Sequence, residues 1–312
     1  MNLSKVAIQI PLTLFCLILF PLSATALDVP GPLVETGWLG SNLQNVIVLD
    51  VRKKTQQDTR RIAGAIQIPW TKVRAKKKEN GVDLIKMLPE KQAFEDLMQN
   101  AGVGNDSVIV VTSESTNEAN TFFGTRLYWQ LKYFGHDNVA LLNGGNAKWF
   151  KEKRASSNKS THPDKGTFKV SKVNRNILAT TIEDVEKAVK DRNTTLIDAR
   201  SEDMYLGLFY KKKYVYGAGH IPGAKSADGN IFLKHGKVKT FYTPEKIKAA
   251  LMAKGIDPES KSITYCNSGH LASGLWFIEH ELLGNKEVAL YDGSMHAWTK
   301  ESDRPVISMK VE

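Results

Sequence analysis

A single cysteine stands where a strand, a short loop and a helix are predicted to follow one another. Cys266 comes directly after the run Ser262 to Tyr265 and precedes a predicted helix over 272–283. The residues that follow it are Asn267, Ser268, Gly269, His270 and Leu271. In such a turn, backbone N–H groups can converge on the sulfur and favour its negative charge. Because a thiolate is a competent nucleophile near neutral pH, we predict that Cys266 is catalytic.

The amino terminus predicts that this thiol is alone in the mature protein. Residues 1–5 carry one positive charge, residues 6–22 are almost wholly apolar, and small residues precede a cleavage site after Ala26. This pattern is typical of a secretory signal peptide, which would remove Cys16 and place the protein in the periplasm. The alternative is a membrane anchor, although the apolar stretch of about 17 residues is short for a spanning helix. A lone thiol in an exported protein is either buried in the core or has a chemical function.

The rest of the chain contains an internal repeat of two similar units. Four pieces recur in the same order, with about 149 residues between the outer pairs. The first copies are 46–52, 61–65, 108–111 and 139–145, and the second copies are 195–200, 220–224, 262–265 and 288–294. Trp149 and Trp298 follow the last pair, and we expect them, with Trp276, to lie in the core or in an interface. Shared order and spacing predict two homologous domains.

Within each unit, short apolar and β-branched runs alternate with helical stretches. Runs such as Val46 to Leu49 are typical of strands that are buried on both faces of a parallel sheet. Helices are predicted over 90–100, 182–190 and 244–254. The pattern favours α/β domains over 27–152 and 179–312, joined by a polar linker over 153–178.

Composition excludes several classes of protein. With 312 residues, 42% hydrophobic and 24% charged, the chain is neither a small disulfide scaffold nor disordered. A net charge of +10 favours anionic small molecules, whereas no nucleic-acid motif accompanies the basic residues. Lys211, Lys212 and Lys213 either supply positive potential over a pocket or form a solvated surface run. The histidines show no metal-ligand spacing, so neither a metal nor another cofactor is implied.

Taken together, these motifs resemble a known family. The paired Asp-x-Arg strands, the signature Gly219 to Ala224, the Cys266 loop and Tyr291 to Ser294 resemble the tandem-domain rhodaneses, the thiosulfate and 3-mercaptopyruvate sulfurtransferases. The resemblance implies two rhodanese-like α/β domains, each a mainly parallel sheet flanked by helices. It also implies a catalytic loop over Cys266 to Leu271. The matching strand of the first unit runs into Thr112, Ser113 and Glu114, so that domain should be catalytically silent.

The resemblance further implies a sulfurtransferase that forms a Cys266 persulfide. A small anionic donor such as thiosulfate would load the sulfur, and cyanide or a thiol would accept it. The residues implied to bind substrate are Arg200, Asn267, Ser268, Gly269, His270 and Leu271. Asp198 and His220 are more simply explained as structural.

The donor stays ambiguous in the sequence. Ser268 matches the mercaptopyruvate type, whereas Arg61 and Met204 depart from it. His270 stands where the family usually has a small apolar residue, and it could tune the thiolate, read a different donor or face solvent.

Two other functions compete with sulfur transfer. A Cys-dependent phosphatase needs an arginine six residues after the cysteine, and that position is Ala272. A non-catalytic sulfur or selenium carrier keeps Cys266 but does not require rapid turnover. We expect a monomer or a homodimer without stable membrane insertion once the leader is cleaved.

Overall fold

The computed structural model describes residues 27–53, 60–79, 81–179, 181–301 and 303–309, so the predicted leader lies outside the described residues. The first unit contains β1 (Leu33–Val34), α1 (Thr36–Asn42), β2 (Ile47–Asp50), β3 (Arg61–Ile62), β4 (Ile66–Gln67), β5 (Ala75–Glu79), β6 (Val82–Met87), α2 (Lys91–Asn100), β7 (Ile109–Thr112), α3 (Glu118–Tyr133), β8 (Val139–Leu142) and α4 (Gly145–Lys151). After β9 (Ser156–Ser157), the second unit contains β10 (Leu178–Ala179), α5 (Ile182–Asp191), β11 (Thr195–Asp198), α6 (Glu202–Leu206), β12 (Lys225–Ser226), α7 (Pro244–Ala253), β13 (Ser262–Tyr265), α8 (His270–Trp276), β14 (Val288–Tyr291) and α9 (Ser294–Trp298).

The two units have the same sheet topology. The strand order is β1-β8-β7-β2-β4 in the first sheet and β10-β14-β13-β11-β12 in the second. All pairings within both sheets are parallel. The central strands β7 and β13 are buried along their whole length, because the helices of each unit cover the sheet. The duplication and the α/β class predicted from sequence are therefore confirmed.

Equivalent helices pack against each other across the boundary between the units. Thr125 Oγ1 of α3 and Ser273 Oγ of α8 lie 2.9 Å apart and are separated by 148 residues in the chain. A Cβ atom at Gly274 would come within 2.3 Å of the Phe122 ring, so glycine permits this close approach. The carboxyl ends of β7 and β13 are consequently brought close to this boundary.

A charged hairpin of the first unit reaches toward the second. Strands β5 and β6 pair antiparallel from Ala75 to Met87. The predicted linker also contributes to the first unit, since Phe168 and Val170 are buried there. Gln99 Nε2 of α2 donates to the carbonyl of Phe168 at 2.9 Å, and Glu95 Oε1 accepts from the Val170 amide at 2.8 Å.

Most predicted elements lie within one or two residues of their observed bounds. The helix predicted over 272–283 begins earlier, at His270, and its second half, Phe277–Leu282, is a π-helix. Trp149, Trp276 and Trp298 are buried, as predicted. Within the described ranges, no helix is long and apolar enough to span a membrane.

Candidate active site

Cys266 lies at the carboxyl end of the central strand β13, where a tight turn leads into α8. Gly269 makes this turn with φ +69°, a conformation that glycine adopts without strain. A Cβ atom there would lie 2.4 Å from Asp292 Oδ1 and 2.7 Å from Arg126 Nη1. The position of Gly269 is therefore fixed both by backbone conformation and by its close neighbours.

Polar groups of the backbone and of Ser294 hold the loop. The Ser268 amide donates to Cys266 Sγ at 3.4 Å. Ser294 Oγ accepts from the amides of Cys266 and Gly269, at 3.1 and 3.0 Å, and donates to the Tyr291 carbonyl at 2.8 Å. Sequence reasoning missed Ser294 as a support of the loop, because its role depends on the close approach of β14 and α9 to the end of β13.

The sulfur is covered by its surroundings. Cys266 is 1% exposed and packs in the hydrophobic core, although polar and cationic groups also surround it. Arg74, Lys86 and Arg200 all interact electrostatically with Cys266, so three cationic side chains lie within electrostatic reach of the sulfur. A ligand can therefore reach the sulfur only if neighbouring side chains move.

Arg200 lies beside this site but is held by a carboxylate. Its guanidinium donates to both oxygens of Asp198, at 2.6 to 3.1 Å, and to the Gly219 carbonyl at 2.7 Å. Both side chains are fully buried. Burial lowers the pKa of Arg200, but the Asp198 carboxylate outweighs this effect and the net shift is upward. Arg200 thus keeps its charge near Cys266, with Nη1 buried and without a hydrogen-bond partner in the described chain.

The other predicted loop residues have distinct surroundings. Asn267 is buried, with Nδ2 3.3 Å from the sulfur of Met204 and with Oδ1 unpartnered among the described residues. Ser268 is buried, its carbonyl accepts from Arg74 Nη2, and its side chain affects the pKa of Tyr214, which burial raises overall. Leu271 is half-buried against the core. His220 stacks on Tyr205 with ring centroids 3.8 Å apart, in agreement with a structural role.

His270 faces the first unit. Its ring centroid lies 4.8 Å from that of Trp70 and 4.9 Å from that of Phe123, and these two rings stack on each other. Burial, followed by the charge of Arg74, lowers the pKa of His270 well below its usual range. The imidazole is therefore neutral at pH 7 and belongs to an aromatic contact between the two units.

This environment predicts a pH-dependent contribution of His270 to stability. Because its pKa is lowered in the folded protein, the unfolded chain takes up its proton first as the pH falls below about 6.5. The contribution of His270 to the free energy of unfolding is thus complete above that pH. Below it, the contribution falls by up to about 1.4 kcal/mol per pH unit. Urea unfolding between pH 7.5 and 5.5 should show a shallower loss in His270→Phe than in the wild type. The exposed control His235→Phe should keep the wild-type slope; equal slopes in all three proteins would contradict the prediction.

The first unit supplies two cations that sequence reasoning missed. Arg74 Nη2 donates to the Ser268 carbonyl, and its Nε donates to the Lys86 carbonyl at 2.8 Å. Burial and the charge of Arg126 lower the pKa of Arg74 to about 9. Burial and the charge of Arg74 lower the pKa of Lys86 to about 8. Both positive groups are thus crowded beside the loop of the second unit.

A buried ion pair joins the two units behind the loop. Arg126 Nη1 lies 2.6 Å from Asp292 Oδ1 and donates to the Gly269 carbonyl at 3.1 Å. The other carboxylate oxygen of Asp292 accepts from the Leu88 amide at 2.5 Å. Because Arg126 and Leu88 come from the first unit, the loop geometry depends on how the units dock.

The equivalent position in the first unit carries no thiol. Strand β7 runs into Ser113, whose hydroxyl donates to the Thr121 carbonyl at 3.1 Å and lies 3.4 Å from Ser115 Oγ. Asp50 and Arg52 repeat the pairing of Asp198 and Arg200. A hydroxyl cannot store a sulfane sulfur. In the residues that the structure covers, no cluster of three metal-ligating side chains is found.

Comparison with known proteins finds the same duplication. The model of the rhodanese-like domain matches residues 35–152 and residues 181–301. Thiosulfate sulfurtransferase of Rattus norvegicus is 30% identical over 217 residues, which cover 69% of this chain and 71% of that protein. The sulfur carrier protein TtuD of Thermus thermophilus is 29% identical over 280 residues, which cover 86% and 94%.

A solved structure shares most of this fold. SseA of Escherichia coli, described as a 3-mercaptopyruvate sulfotransferase, superposes with a TM-score of 0.70 at 23% identity. The match covers 85% of this chain and 98% of that protein.

Proposed function

Because this chain belongs to the rhodanese-like domain family, as a tandem of two such domains, we propose that it is a sulfurtransferase working through Cys266. It moves a sulfane sulfur from thiosulfate or a related donor to a thiophilic acceptor, either cyanide or a thiol. The observation that carries the proposal is the Cys266 sulfur itself, which accepts a hydrogen bond from the Ser268 amide within a cationic site.

The reaction consists of two displacements at the same sulfur atom. The Cys266 thiolate attacks the outer sulfur of thiosulfate, a new S–S bond forms, and the bond to the sulfonate sulfur breaks. Its electron pair leaves with sulfite, and the enzyme keeps a persulfide. Cyanide then attacks the outer persulfide sulfur, leaves as thiocyanate and restores the thiolate. No external oxidant or reductant is required.

The electrostatics favour each negative species on this path. Two of the nearest carboxylates are already neutralised, Asp198 by Arg200 and Asp292 by Arg126. The positive charges of Arg74 and Lys86 therefore act on the sulfur and on the departing sulfite. Preorganised donors of this kind stabilise developing charge without reorganisation during the reaction.

A donor panel tests the proposal against a carrier function. Purified protein is mixed with thiosulfate, 3-mercaptopyruvate, glutathione persulfide, or selenite plus thiol, and its intact mass is recorded. Thiocyanate formation is then followed with cyanide as acceptor. We expect thiosulfate to add one sulfur atom and to support steady turnover. A loaded but slowly discharged protein would favour the sulfur or selenium carrier, and absence of loading by every donor would contradict both.

We also propose that the protein acts in the periplasm after export. Its amino-terminal residues have the pattern of a secretory leader, and cleavage after Ala26 would make Leu27 the first residue. Fractionation of the source cells and amino-terminal sequencing test this proposal. Recovery of protein that begins at Met1 in the cytoplasm would contradict it.

A further inference from the structure

The hairpin of the first domain contains an irregularity at one residue. Met87 pairs with Ala75 and Ile85 pairs with Lys76, so the register shifts and Lys86 is left outside the ladder. Lys86 has φ +65°, a left-handed conformation that is uncommon for a residue with a side chain. Bulges of this type redirect side chains, and such strain concentrates at functional sites. The backbone of Lys86 is therefore held outside the ladder in an unfavourable conformation.

The hairpin is fixed on the second domain by several hydrogen bonds. His296 Nε2 accepts from the Ile85 amide at 3.1 Å. Lys300 Nζ donates to the Asp83 carbonyl at 2.7 Å. The Arg74 guanidinium joins the Lys86 carbonyl to that of Ser268, one residue beyond the loop asparagine. The bulge is thus held against the catalytic loop.

The charge of Lys86 is not balanced by a nearby acid. Its ammonium lies 3.5 Å from the centre of the Tyr214 ring, a cation–π contact. In the part of the chain that the structure describes, Lys86 forms no ion pair with a carboxylate. Arg200 and Arg126, in contrast, are each paired with an aspartate. Among the described residues, Lys86 and Arg74 are therefore cations beside Cys266 whose charge no carboxylate neutralises through an ion pair.

We propose that Lys86 and Arg74 bind the sulfonate end of the sulfur donor, so that the first domain supplies the donor-anion subsite. This inference rests on the proposed function and specifies its substrate class: thiosulfate and organic thiosulfonates. A planar carboxylate is held best by a free guanidinium fork. The fork of Arg74 already donates to two carbonyls, and a lysine ammonium is a compact charge that suits a tetrahedral sulfonate. The same charges stabilise sulfite as the S–S bond breaks.

Alkylation of Cys266 tests the subsite without requiring sulfur transfer. Iodoacetate and iodoacetamide have similar size and differ by one negative charge. The rate constant for iodoacetate divided by that for iodoacetamide therefore reports the electrostatic potential at the sulfur. Because both reagents react with the thiolate, the fraction of Cys266 that is ionised cancels in this ratio. At pH 7 we expect this ratio to fall about tenfold in Lys86→Met, to be restored in Lys86→Arg, and to be unchanged in Lys78→Met, an exposed lysine of the same hairpin.

The pH dependence of the ratio adds a second criterion. In the wild type, the ratio should fall around pH 8 as Lys86 loses its proton, and this step should be absent in Lys86→Met. The charged or titratable groups that act on Lys86 include Arg74, Cys266, Lys211 and Lys213, the imidazoles of His270 and His296, and Tyr214, whose ring lies beneath its ammonium. A ratio in Lys86→Met within twofold of the wild type would overturn the proposal, as would a Cys266 that neither reagent reaches.

Kinetics separate failure of this inference from failure of the proposed function. With thiosulfate, Lys86→Met should raise KM about tenfold and lower kcat less, whereas Lys78→Met should behave as the wild type. A normal KM together with normal turnover would overturn the subsite but leave the sulfurtransferase intact. Absence of turnover in the wild type would overturn the proposed function, and the alkylation ratio would still decide whether the anion subsite exists.

Discussion

Replacement of Cys266 by serine is expected to lower thiocyanate formation by at least about a thousandfold. A hydroxyl cannot hold a sulfane sulfur, and no second thiol lies in the described chain to take over. The fold should persist, because the serine oxygen can accept the same hydrogen bond from the Ser268 amide. The measurement is steady-state turnover with thiosulfate and cyanide, together with the mass of the protein after incubation with thiosulfate alone.

A control separates loss of chemistry from loss of structure. Thermal unfolding of Cys266→Ser should remain close to that of the wild type. Unchanged sulfite release in a folded Cys266→Ser protein would remove the central premise of the proposed mechanism.

Replacement of Arg126 by methionine should cost about 3–5 kcal/mol of unfolding free energy. The change leaves the Asp292 carboxylate buried without its partner, 2.6 Å from where the guanidinium stood, and also removes the hydrogen bond to the Gly269 carbonyl. The expected fall in Tm is on the order of 10 °C for a protein of this size. Urea and thermal unfolding measure both effects, and turnover should fall as well because the pair supports the loop.

An exposed ion pair provides the matched comparison. Lys248 lies 2.8 Å from Glu259 at the surface, so Lys248→Met should change stability by less than about 1 kcal/mol. The double variant Arg126→Met/Asp292→Leu should recover part of the loss, since it leaves no unpaired charge. Equal stabilities of Arg126→Met and Lys248→Met would show that the buried pair does not join the domains as described.

The duplicated sheets could be predicted from the chain because their signal is local. Runs such as Val108 to Val111 are continuously apolar, and a strand buried on both faces needs only that pattern. The strand–loop–helix context of Cys266 could be predicted for the same reason, since its three parts are adjacent in the sequence. Helix α8 begins at His270, two residues before the predicted start at residue 272, because neither His270 nor Leu271 is a residue typical of a first helical turn.

The other half of the site depends on contacts between distant residues. The hairpin strand β5 contains Lys76, Lys77 and Lys78. Because these residues are charged, the hydrophobic pattern of the sequence does not predict a strand there. Lys86 approaches Cys266 only because a bulge turns it and because His296 fixes the neighbouring backbone. The sequence allows His270 to tune the thiolate, to read a different donor or to face solvent. Its contact with Trp70 could not be predicted, because that contact depends on the docked first domain.

The hairpin belongs to the first domain, in which Ser113 follows the central strand where Cys266 follows it in the second, and this has an evolutionary consequence. If substrate choice is encoded in one copy of the duplication and bond making in the other, the two properties can diverge under separate selection. A transplant of residues 74–88 between paralogues should then carry preference for one donor into an enzyme specialised for another. In this protein, the copy without a cysteine would then hold the part of the gene most open to adaptation.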